Sequence, residues 1–239
     1  MNILRRLGRG TRPNNSWFAA LRWASLCSTR ATALALALLI CATAPVQLRA
    51  QAQTLPPPIG PETPRVEPGR GDDGIYHQKW AAPTFLDMRD DYAEAETKGK
   101  RFAVVFEQRG CIYCTKMHTE VLALKYINDY VRENFHIVQI DLWGSREATD
   151  FDGAKMSEKK LAERWGVMFT PTVVFFKDGL KDIKTYGQPL EVTRMSLGFG
   201  PGTFYDLFVW VRAKVYEQDR NFQRFHLTRH NEREALKKK

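Results

Sequence analysis

Apolar residues recur along the middle of the chain with the periods of helices and strands. Between residues 85 and 98 they fall every three to four positions, which predicts an amphipathic helix that Gly99 ends. Its apolar positions are Phe85, Met88, Tyr92 and Ala95. Residues 102–107 and 136–140 are apolar runs short enough for buried strands. Residues 111–134 between them predict one continuous helix, so we expect a βαβ unit with parallel strands.

Two further helices are predicted in the second half of the chain. Ser157–Trp165 has helical spacing, with Ser157 as N-cap and Gly166 just past the end. Residues 202–218 place apolar side chains on one face and predict a closing helix.

A β-hairpin is predicted between these two helices. Thr172–Phe176 and Asp182–Tyr186 have the composition of strands and flank the turn signal Asp178-Gly179. Strands and helices in this order predict an α/β fold in which helices flank a central sheet.

The first 50 residues have the composition of an export signal. They contain seven arginines and no acidic residue, and residues 31–46 are apolar. Ala50 and Ala52 are the small residues that a signal peptidase site needs, so we expect cleavage after Ala52 and a signal peptide over residues 1–52. The alternatives are an uncleaved membrane anchor and twin-arginine export through Arg5-Arg6.

Cleavage removes most of the basic charge. The whole chain has 36 basic and 27 acidic residues, a net charge of +9. Loss of seven arginines leaves 29 basic residues against 27 acidic ones, a net charge of +2. A nucleic-acid-binding function inferred from the basic composition is therefore excluded. We expect a periplasmic protein.

The segments on either side of the domain predict little packed structure. Residues 53–79 contain six of the twelve prolines and predict an extended linker. Residues 80–218 then form the folded domain. Residues 219–239 carry seven basic and three acidic side chains and predict a solvated or frayed tail. A weak contact of this tail with anionic lipid or an acidic partner is the alternative.

The candidate chemistry lies in Cys111-Ile112-Tyr113-Cys114. Two thiols at this spacing can close into a disulfide and reopen. Backbone N–H groups at a helix start stabilise a thiolate on Cys111, and Cys114, one turn later, suits a resolving role. After cleavage these are the only two cysteines of the chain, in a compartment where disulfides persist. A structural disulfide around so small a loop adds little stability, which favours a redox-active pair.

Four segments of the sequence resemble those of one family. They are Phe106–His118, Asp141–Gly144, Thr149–Gly153 and Arg164–Phe176. With Cys-x-x-Cys in the first and Thr170-Pro171 in the last, the chain resembles thioredoxin-family proteins. More narrowly, it resembles the SoxW-type periplasmic thioredoxins associated with sulfur-compound oxidation, from about residue 80 to 215. The resemblance implies a thioredoxin-like α/β fold, with a central mixed sheet flanked by helices, behind the export signal and the proline-rich linker.

The resemblance also implies roles for residues near the cysteines. Pro171 is expected to be cis and to lie across from Cys111 and Cys114, which leaves the backbone of Thr170 to pair with a substrate peptide. An ordinary trans proline at the start of a strand is the alternative. Tyr113 either lines the substrate groove or packs.

The sequence departs from cytoplasmic thioredoxins in two places. Val105 stands where their buried aspartate lies, and Ile112-Tyr113 replaces their Gly-Pro. Glu107, four residues before Cys111, either replaces the aspartate as the base that deprotonates Cys114 or is a surface carboxylate.

These features together predict an exported thiol-disulfide oxidoreductase that reduces periplasmic protein clients as a monomer, without a cofactor. The resemblance implies re-reduction by a membrane electron-transfer protein of the cytochrome-c-biogenesis type, and clients among sulfur-oxidation proteins. A periplasmic disulfide oxidase or isomerase is one alternative.

A metal-binding module is the other alternative. Cys111, Cys114 and His118 form a Cys-x2-Cys-x3-His cluster, but no second ligand pair accompanies it and we expect no metal. His118 is expected on the helix surface or in the groove.

Overall fold

The computed structural model describes residues 54–81 and 84–238 of the chain. The chain divides into two units, Met1–Ala50 and Gln51–Lys239, and every described residue lies in the second. The predicted signal peptide lies outside the described residues. In the part of the chain that is described, no helix is both long and apolar enough to cross a membrane.

The described residues form eight strands and seven α-helices. The strands are β1 (Gly69–Arg70), β2 (Tyr76–His77), β3 (Arg101–Glu107), β4 (Phe135–Asp141), β5 (Glu147–Thr149), β6 (Lys155–Ser157), β7 (Thr172–Phe176) and β8 (Glu191–Ser196). The α-helices are α1 (Met88–Thr97), α2 (Ile112–Lys116), α3 (Lys125–Asn134), α4 (Glu158–Arg164), α5 (Pro201–Arg212), α6 (Val215–Gln218) and α7 (Phe222–Lys237).

Strand β3 lies inside a four-stranded sheet of order β4-β3-β7-β8. It runs parallel to β4 and antiparallel to β7, so that Val104 is opposite both Val138 and Val174. Strand β8 pairs antiparallel with β7 and completes the sheet. The predicted central mixed sheet is confirmed, and so is the parallel pairing of β3 with β4.

Alternate side chains of β3 enter two separate cores, because successive residues of a strand point to opposite faces of a sheet. Phe102 and Val104 pack in a core with α1, α4 and Trp165. Val105 packs in the other core with α3, α5 and Phe208. Both faces of the sheet are therefore covered, which explains why β3 is a continuous apolar run.

The chain interrupts the helix that was predicted over residues 111–134. Helix α2 passes directly into a π-helical turn, Met117–Val121, which ends at three consecutive buried apolar residues. In that connection the Ala123 carbonyl accepts a hydrogen bond of 2.8 Å from the N–H of Val66. The prediction of one helix is wrong because a segment distant in sequence takes backbone groups that a continuous helix needs.

The partner of β7 is β8, and not the predicted strand Asp182–Tyr186. The loop between β7 and β8 instead covers one core, with Ile183 packed against it. Gly187 anchors this loop by donating its N–H to buried Asp150 at 3.0 Å, and Asp150 also accepts from Trp165 Nε1 at 3.0 Å. Burial raises the pKa of the Asp150 carboxyl. The apolar residues Ile183 and Tyr186, which contributed to the strand prediction, pack this loop against the core.

Residues 54–79 pack against the domain, where the sequence predicts an extended linker. Ile75 and Gln78 are 5% and 6% exposed, and β1 and β2 form a short hairpin. Arg65 donates to the carbonyl of Thr119 at 2.9 Å. A proline-rich segment offers carbonyl acceptors but few N–H donors, so it is held by donors from the rest of the protein.

The C-terminal segment is a helix, and not the predicted solvated or frayed tail. Helix α7 has 16 residues, buries Arg229 and Arg233, and packs on α5. The helix predicted over residues 202–218 divides into α5 and α6, because Lys214 adopts a left-handed conformation with φ 54°. The buried residues of α7 are charged, and the aromatic residues that pack against the core, Phe222 and Phe225, lie only in its first turn. The sequence therefore shows no apolar face along the length of this helix.

Asp206 on α5 holds α7 to the domain. Its fully buried carboxylate accepts from Arg229 Nε at 2.6 Å, from both terminal nitrogens of Arg233 at 2.9 and 2.7 Å, and from His226 Nδ1 at 2.7 Å. Arg229 also donates to the carbonyl of Pro56 at 2.9 Å. One buried carboxylate therefore orders segments on both sides of the domain.

Replacing Asp206 by Asn should destabilise the protein by about 3–5 kcal/mol, since two buried guanidinium groups lose their counter-charge. Urea unfolding followed by circular dichroism measures this loss. Glu234→Gln, which removes a carboxylate from the exposed ion pair with Lys237 on α7, is the matched control and should unfold like wild type. Equal unfolding midpoints for the two variants would contradict the role given to Asp206.

Candidate active site

The ends of two neighbouring strands bring the cysteines and Thr170-Pro171 together. β3 ends at Glu107, and Gly110, with φ 75°, turns the chain so that α2 begins after Cys111. β7 begins directly after Pro171 and runs antiparallel to β3, so its start lies beside the end of β3. The Thr170–Pro171 peptide bond is cis, the isomer that the resemblance implies.

Cys111 is the N-cap of α2, and its sulfur accepts the capping hydrogen bond. The N–H of Cys114 donates to Cys111 Sγ at 3.0 Å, a bond that stabilises negative charge on that sulfur. The carbonyl oxygen of Thr170 lies 3.4 Å from the same sulfur. The two cysteines form a disulfide and are 8% and 3% exposed. The two sulfurs thus have different surroundings, with the capping bond made only to Cys111.

Large apolar side chains are exposed in and around the cysteine motif. Within it, Ile112 and Tyr113 are 71% and 51% exposed. The flanking segments expose Trp143, Met168, Phe169, Leu197 and Phe199. Apolar groups grouped in this way beside a reactive pair are typical of an interaction surface. The sequence did not reveal the flanking residues, because single apolar residues in loops look the same whether they are buried or exposed.

Tyr113 lines a cavity of about 220 Å³ together with Pro171 and Phe199. Gly198 makes room for the ring, since a Cβ there would lie 2.6 Å from Tyr113 Cδ1. Thr170 itself is buried. Of the residues predicted to contact substrate, Tyr113 therefore offers a side chain, whereas Thr170 offers its backbone.

Glu107 is fully buried, which rules out the alternative of a surface carboxylate. Its Oε1 accepts hydrogen bonds from His118 Nε2 at 2.9 Å and from Gln139 Nε2 at 2.8 Å, and its Oε2 lies 3.0 Å from His118 Nε2. A buried carboxylate needs such donors to offset the water that it has lost.

His118 is buried, and not on the helix surface or in the groove as predicted. Its Nε2 contacts Glu107, its Nδ1 lies 2.9 Å from Gln78 Nε2, and its ring stacks on Tyr76. The cluster of Cys111, Cys114 and His118, considered above as the alternative of a metal site, is not formed, because both ring nitrogens of His118 already have partners.

Three further polar residues complete the surroundings of His118. Gln78 Oε1 accepts from Asn128 Nδ2 at 2.8 Å, and Asn128 Oδ1 accepts from Trp80 Nε1 at 2.9 Å. No feature of the sequence points to these residues. None belongs to a motif, and Gln78 lies in the segment predicted as a linker.

A cavity of about 120 Å³ lies between Glu107 and the cysteines. Glu107, Cys111 and Cys114 line it, together with Ile75 and Tyr76 from the segment before the domain. A polar space of this size holds a few water molecules. The cavity therefore leaves room for water between Cys114 and Glu107.

Comparison with known families matches residues 88–192 to the family described as Thioredoxin-like domain. Residues 88–192 form a thioredoxin-like domain. The match includes Cys111, Cys114 and Pro171, whereas Gln78 and Trp80 lie outside it. No curated protein matches the chain.

Several solved structures are similar to the thioredoxin-like domain at low identity. A thioredoxin-fold protein from Helicobacter pylori is 20% identical, with a TM-score of 0.45, over 60% of this chain and 98% of that one. A DsbH oxidoreductase is 17% identical, with a TM-score of 0.37, over 61% of this chain and 95% of that one. The C-terminal domain of DsbD from Neisseria meningitidis, in its reduced form, is 15% identical, with a TM-score of 0.36, over 54% of this chain and 100% of that one.

Glu107→Gln should slow resolution by Cys114 without slowing attack by Cys111. When the reduced protein reacts with dithiobis(nitrobenzoate), the first thionitrobenzoate is released by Cys111 and the second by Cys114. Loss of a general base should slow the second release about 10²-fold, and stopped-flow absorbance resolves the two phases. Glu120→Gln, the same change at an exposed carboxylate, is the control. A second phase at the wild-type rate in Glu107→Gln would contradict the role of Glu107 as base.

Proposed function

We propose that the protein is an exported thiol-disulfide oxidoreductase that reduces disulfides in periplasmic protein clients. The observation that carries this proposal is the unequal environment of the two sulfurs. Cys111 Sγ accepts the Cys114 N–H at 3.0 Å, beside the Thr170 carbonyl and the cis-Pro171. A sulfur that accepts a backbone N–H is stabilised as a thiolate, which is the nucleophilic form.

The reaction begins with the reduced pair. The Cys111 thiolate attacks one sulfur of a client disulfide, the client S–S bond breaks, and the other client sulfur leaves as a thiolate. Cys111 is then joined to the client in a mixed disulfide. Cys114 loses its proton to Glu107, attacks Cys111 Sγ and releases the second client thiolate. The client gains two electrons, and the Cys111–Cys114 disulfide of this structure is the product state.

The exposed apolar surface supports a protein client over a small thiol. Ile112, Tyr113 and Phe199 present apolar area beside the disulfide, and the cavity next to Tyr113 is large enough for one client side chain. A client segment in extended conformation would pair with the backbone of Thr170 and place its disulfide over Cys111. The preferred clients therefore expose cystines flanked by apolar residues.

A reductase outside the cytoplasm needs a donor that reduces its Cys111–Cys114 disulfide again after each turnover. We propose that a membrane electron-transfer protein of the cytochrome-c-biogenesis type returns the pair to the dithiol form, and that clients include sulfur-oxidation proteins. The resemblance of residues 106–118 and 164–176 to SoxW-type thioredoxins supports both proposals. The arginine-rich, apolar start of the chain supports the periplasmic location.

Cys114→Ala should trap the client as a mixed disulfide on Cys111, because the resolving thiol is missing. Periplasmic extracts of cells that produce this variant should show thiol-sensitive adducts on non-reducing gels, which mass spectrometry identifies. The double variant Cys111→Ala/Cys114→Ala is the control and should form none. Adducts absent from both variants would contradict reduction of protein clients.

The equilibrium potential of the Cys111–Cys114 pair decides the direction of electron flow. We expect a value near or below about −230 mV, in the range of reductases. Alkylation and mass shift after incubation in graded thiol buffers measure it. A potential above about −180 mV would instead favour the alternative of a disulfide oxidase or isomerase. Failure to form the disulfide at all would contradict the proposed function.

A further inference from the structure

Five side chains form a continuous hydrogen-bonded series beneath the cysteines, which we call the Trp80–Glu107 chain. Its members, in order, are Trp80, Asn128, Gln78, His118 and Glu107. Successive members are 2.9, 2.8, 2.9 and 2.9 Å apart. All except Trp80 are buried, so water does not compete for these bonds. If one member accepts a hydrogen bond from its neighbour on one side, it must therefore donate to its neighbour on the other side. The direction of the first bond thus decides the direction of all the others.

At one end of the series, Asn128 contacts two groups whose roles as donor or acceptor cannot change, the indole N–H of Trp80 and the backbone carbonyl of Leu122. An indole N–H only donates, and a backbone carbonyl only accepts. Trp80 Nε1 lies 2.9 Å from Asn128 Oδ1, and Asn128 Nδ2 lies 2.8 Å from the carbonyl of Leu122. Only one of the two orientations of the Asn128 amide satisfies both contacts. Its nitrogen therefore also donates to Gln78 Oε1.

The fixed orientation of Gln78 decides the tautomer of His118. Because Gln78 Oε1 accepts from Asn128, the amide nitrogen of Gln78 is the atom that faces His118 Nδ1. An amide nitrogen donates, so Nδ1 must carry a lone pair and the ring proton must be on Nε2. Nε2 then donates to the carboxylate of Glu107, 2.9 and 3.0 Å from its two oxygens.

The opposite tautomer would not serve this site. With the proton on Nδ1, a ring lone pair on Nε2 would face the carboxylate oxygens of Glu107, and Nδ1–H would face the amide hydrogens of Gln78. Both contacts would become repulsive. The polarity of the amide series thus decides whether His118 supports Glu107 or repels it.

We propose that the Trp80–Glu107 chain makes His118 the positioning residue for Glu107 in the resolving step, by holding it as the neutral Nε2–H tautomer. This inference rests on the proposed function. Gln139 and His118 both donate to Oε1, and Oε2 receives only a share of the His118 bond. Oε2 therefore keeps a lone pair for the proton of Cys114.

The resolving step is balanced with His118 unchanged. The proton of the Cys114 thiol passes to Glu107 Oε2, directly or through water in the shared cavity. A bond forms between the Sγ atoms of Cys114 and Cys111, the bond from Cys111 to the client sulfur breaks, and the client leaves as a thiolate. His118 keeps its Nε2 proton throughout and holds the carboxylate in place.

Nitrogen NMR of protein labelled in its five histidines tests the tautomer directly. The resonances of His118, identified by their loss in His118→Gln, should show an unprotonated Nδ1 and a protonated Nε2 in wild type. Gln78→Glu replaces the amide donor by an acceptor of nearly the same shape, so Nδ1 should become protonated. A proton on Nδ1 in wild type would overturn the proposal.

Kinetics with dithiobis(nitrobenzoate) tests the consequence. Gln78→Glu should slow the second release, which Cys114 makes, about tenfold, and should leave the first release by Cys111 at the wild-type rate. If the proton moves to Nδ1 while the second release keeps its wild-type rate, His118 does not position Glu107. Absence of a second release in wild type would count against the proposed function, whereas the NMR result would still stand.

A second variant keeps the test valid if Gln78→Glu folds poorly. Trp80→Phe removes the indole donor at the far end of the series, keeps an aromatic ring, and should slow the second release about threefold, within the range of a positioning effect. Trp210→Phe is the matched control, because the buried Nε1 of Trp210 has no hydrogen-bond partner among residues 54–81 and 84–238. Equal second-phase rates in the two variants would overturn the proposal.

Discussion

A carboxylate buried at the end of the central strand is the constraint on which this site depends. Glu107 is the last residue of β3, and every residue of that strand is buried because both faces of the sheet are covered. Removing a carboxylate from water costs several kcal/mol unless hydrogen-bond donors replace the water. His118 and Gln139 supply those donors. Their own orientation depends on Gln78 and on the backbone of Tyr76, which precede the matched domain.

The same physical principle explains how the C-terminal helix is attached. Asp206 is as deeply buried as Glu107, and its donors come from Arg229 and Arg233 on α7. Arg229 also reaches the carbonyl of Pro56. Both flanking segments are therefore joined to the thioredoxin-like domain by polar groups that compensate buried carboxylates, in addition to apolar contacts such as those of Trp80 and Phe222. Each segment lies outside residues 88–192.

The sequence predicted the elements whose signals are local. β3, β4 and β7 are short apolar runs, and α4 begins where Ser157 accepts the N–H of Lys160. The Cys-x-x-Cys motif at a helix start was found for the same reason. In each case the residues that decide the structure lie within a few positions of one another.

The elements that the sequence missed depend on contacts between distant residues. Arg229 and the carbonyl of Pro56 are 173 positions apart, and Gln78 is 40 positions from His118. A basic segment and a proline-rich segment look unstructured when each is considered alone, because their binding partners are charges and carbonyls of the other parts of the chain. The prediction that Asp182–Tyr186 pairs with β7 was wrong for the same reason. That segment lies in a loop that Asp150 anchors through Gly187, 37 positions later.

The position of Glu107 on β3 explains why the segment before the domain contacts the site. Val105 and Glu107 lie on the same face of β3, because residues two apart in a strand point the same way, and both line one apolar cavity with His118. In the proposed mechanism Glu107 takes the role of the acid that cytoplasmic thioredoxins carry at the position of Val105, about 7 Å further along the strand, toward the cysteines. At the end of the strand the sheet itself shields a carboxylate less well. The hairpin of β1 and β2 covers that end of the strand, and Gln78 and Trp80 orient the groups that donate hydrogen bonds to Glu107. The redox site therefore includes residues that precede the domain which carries the cysteines.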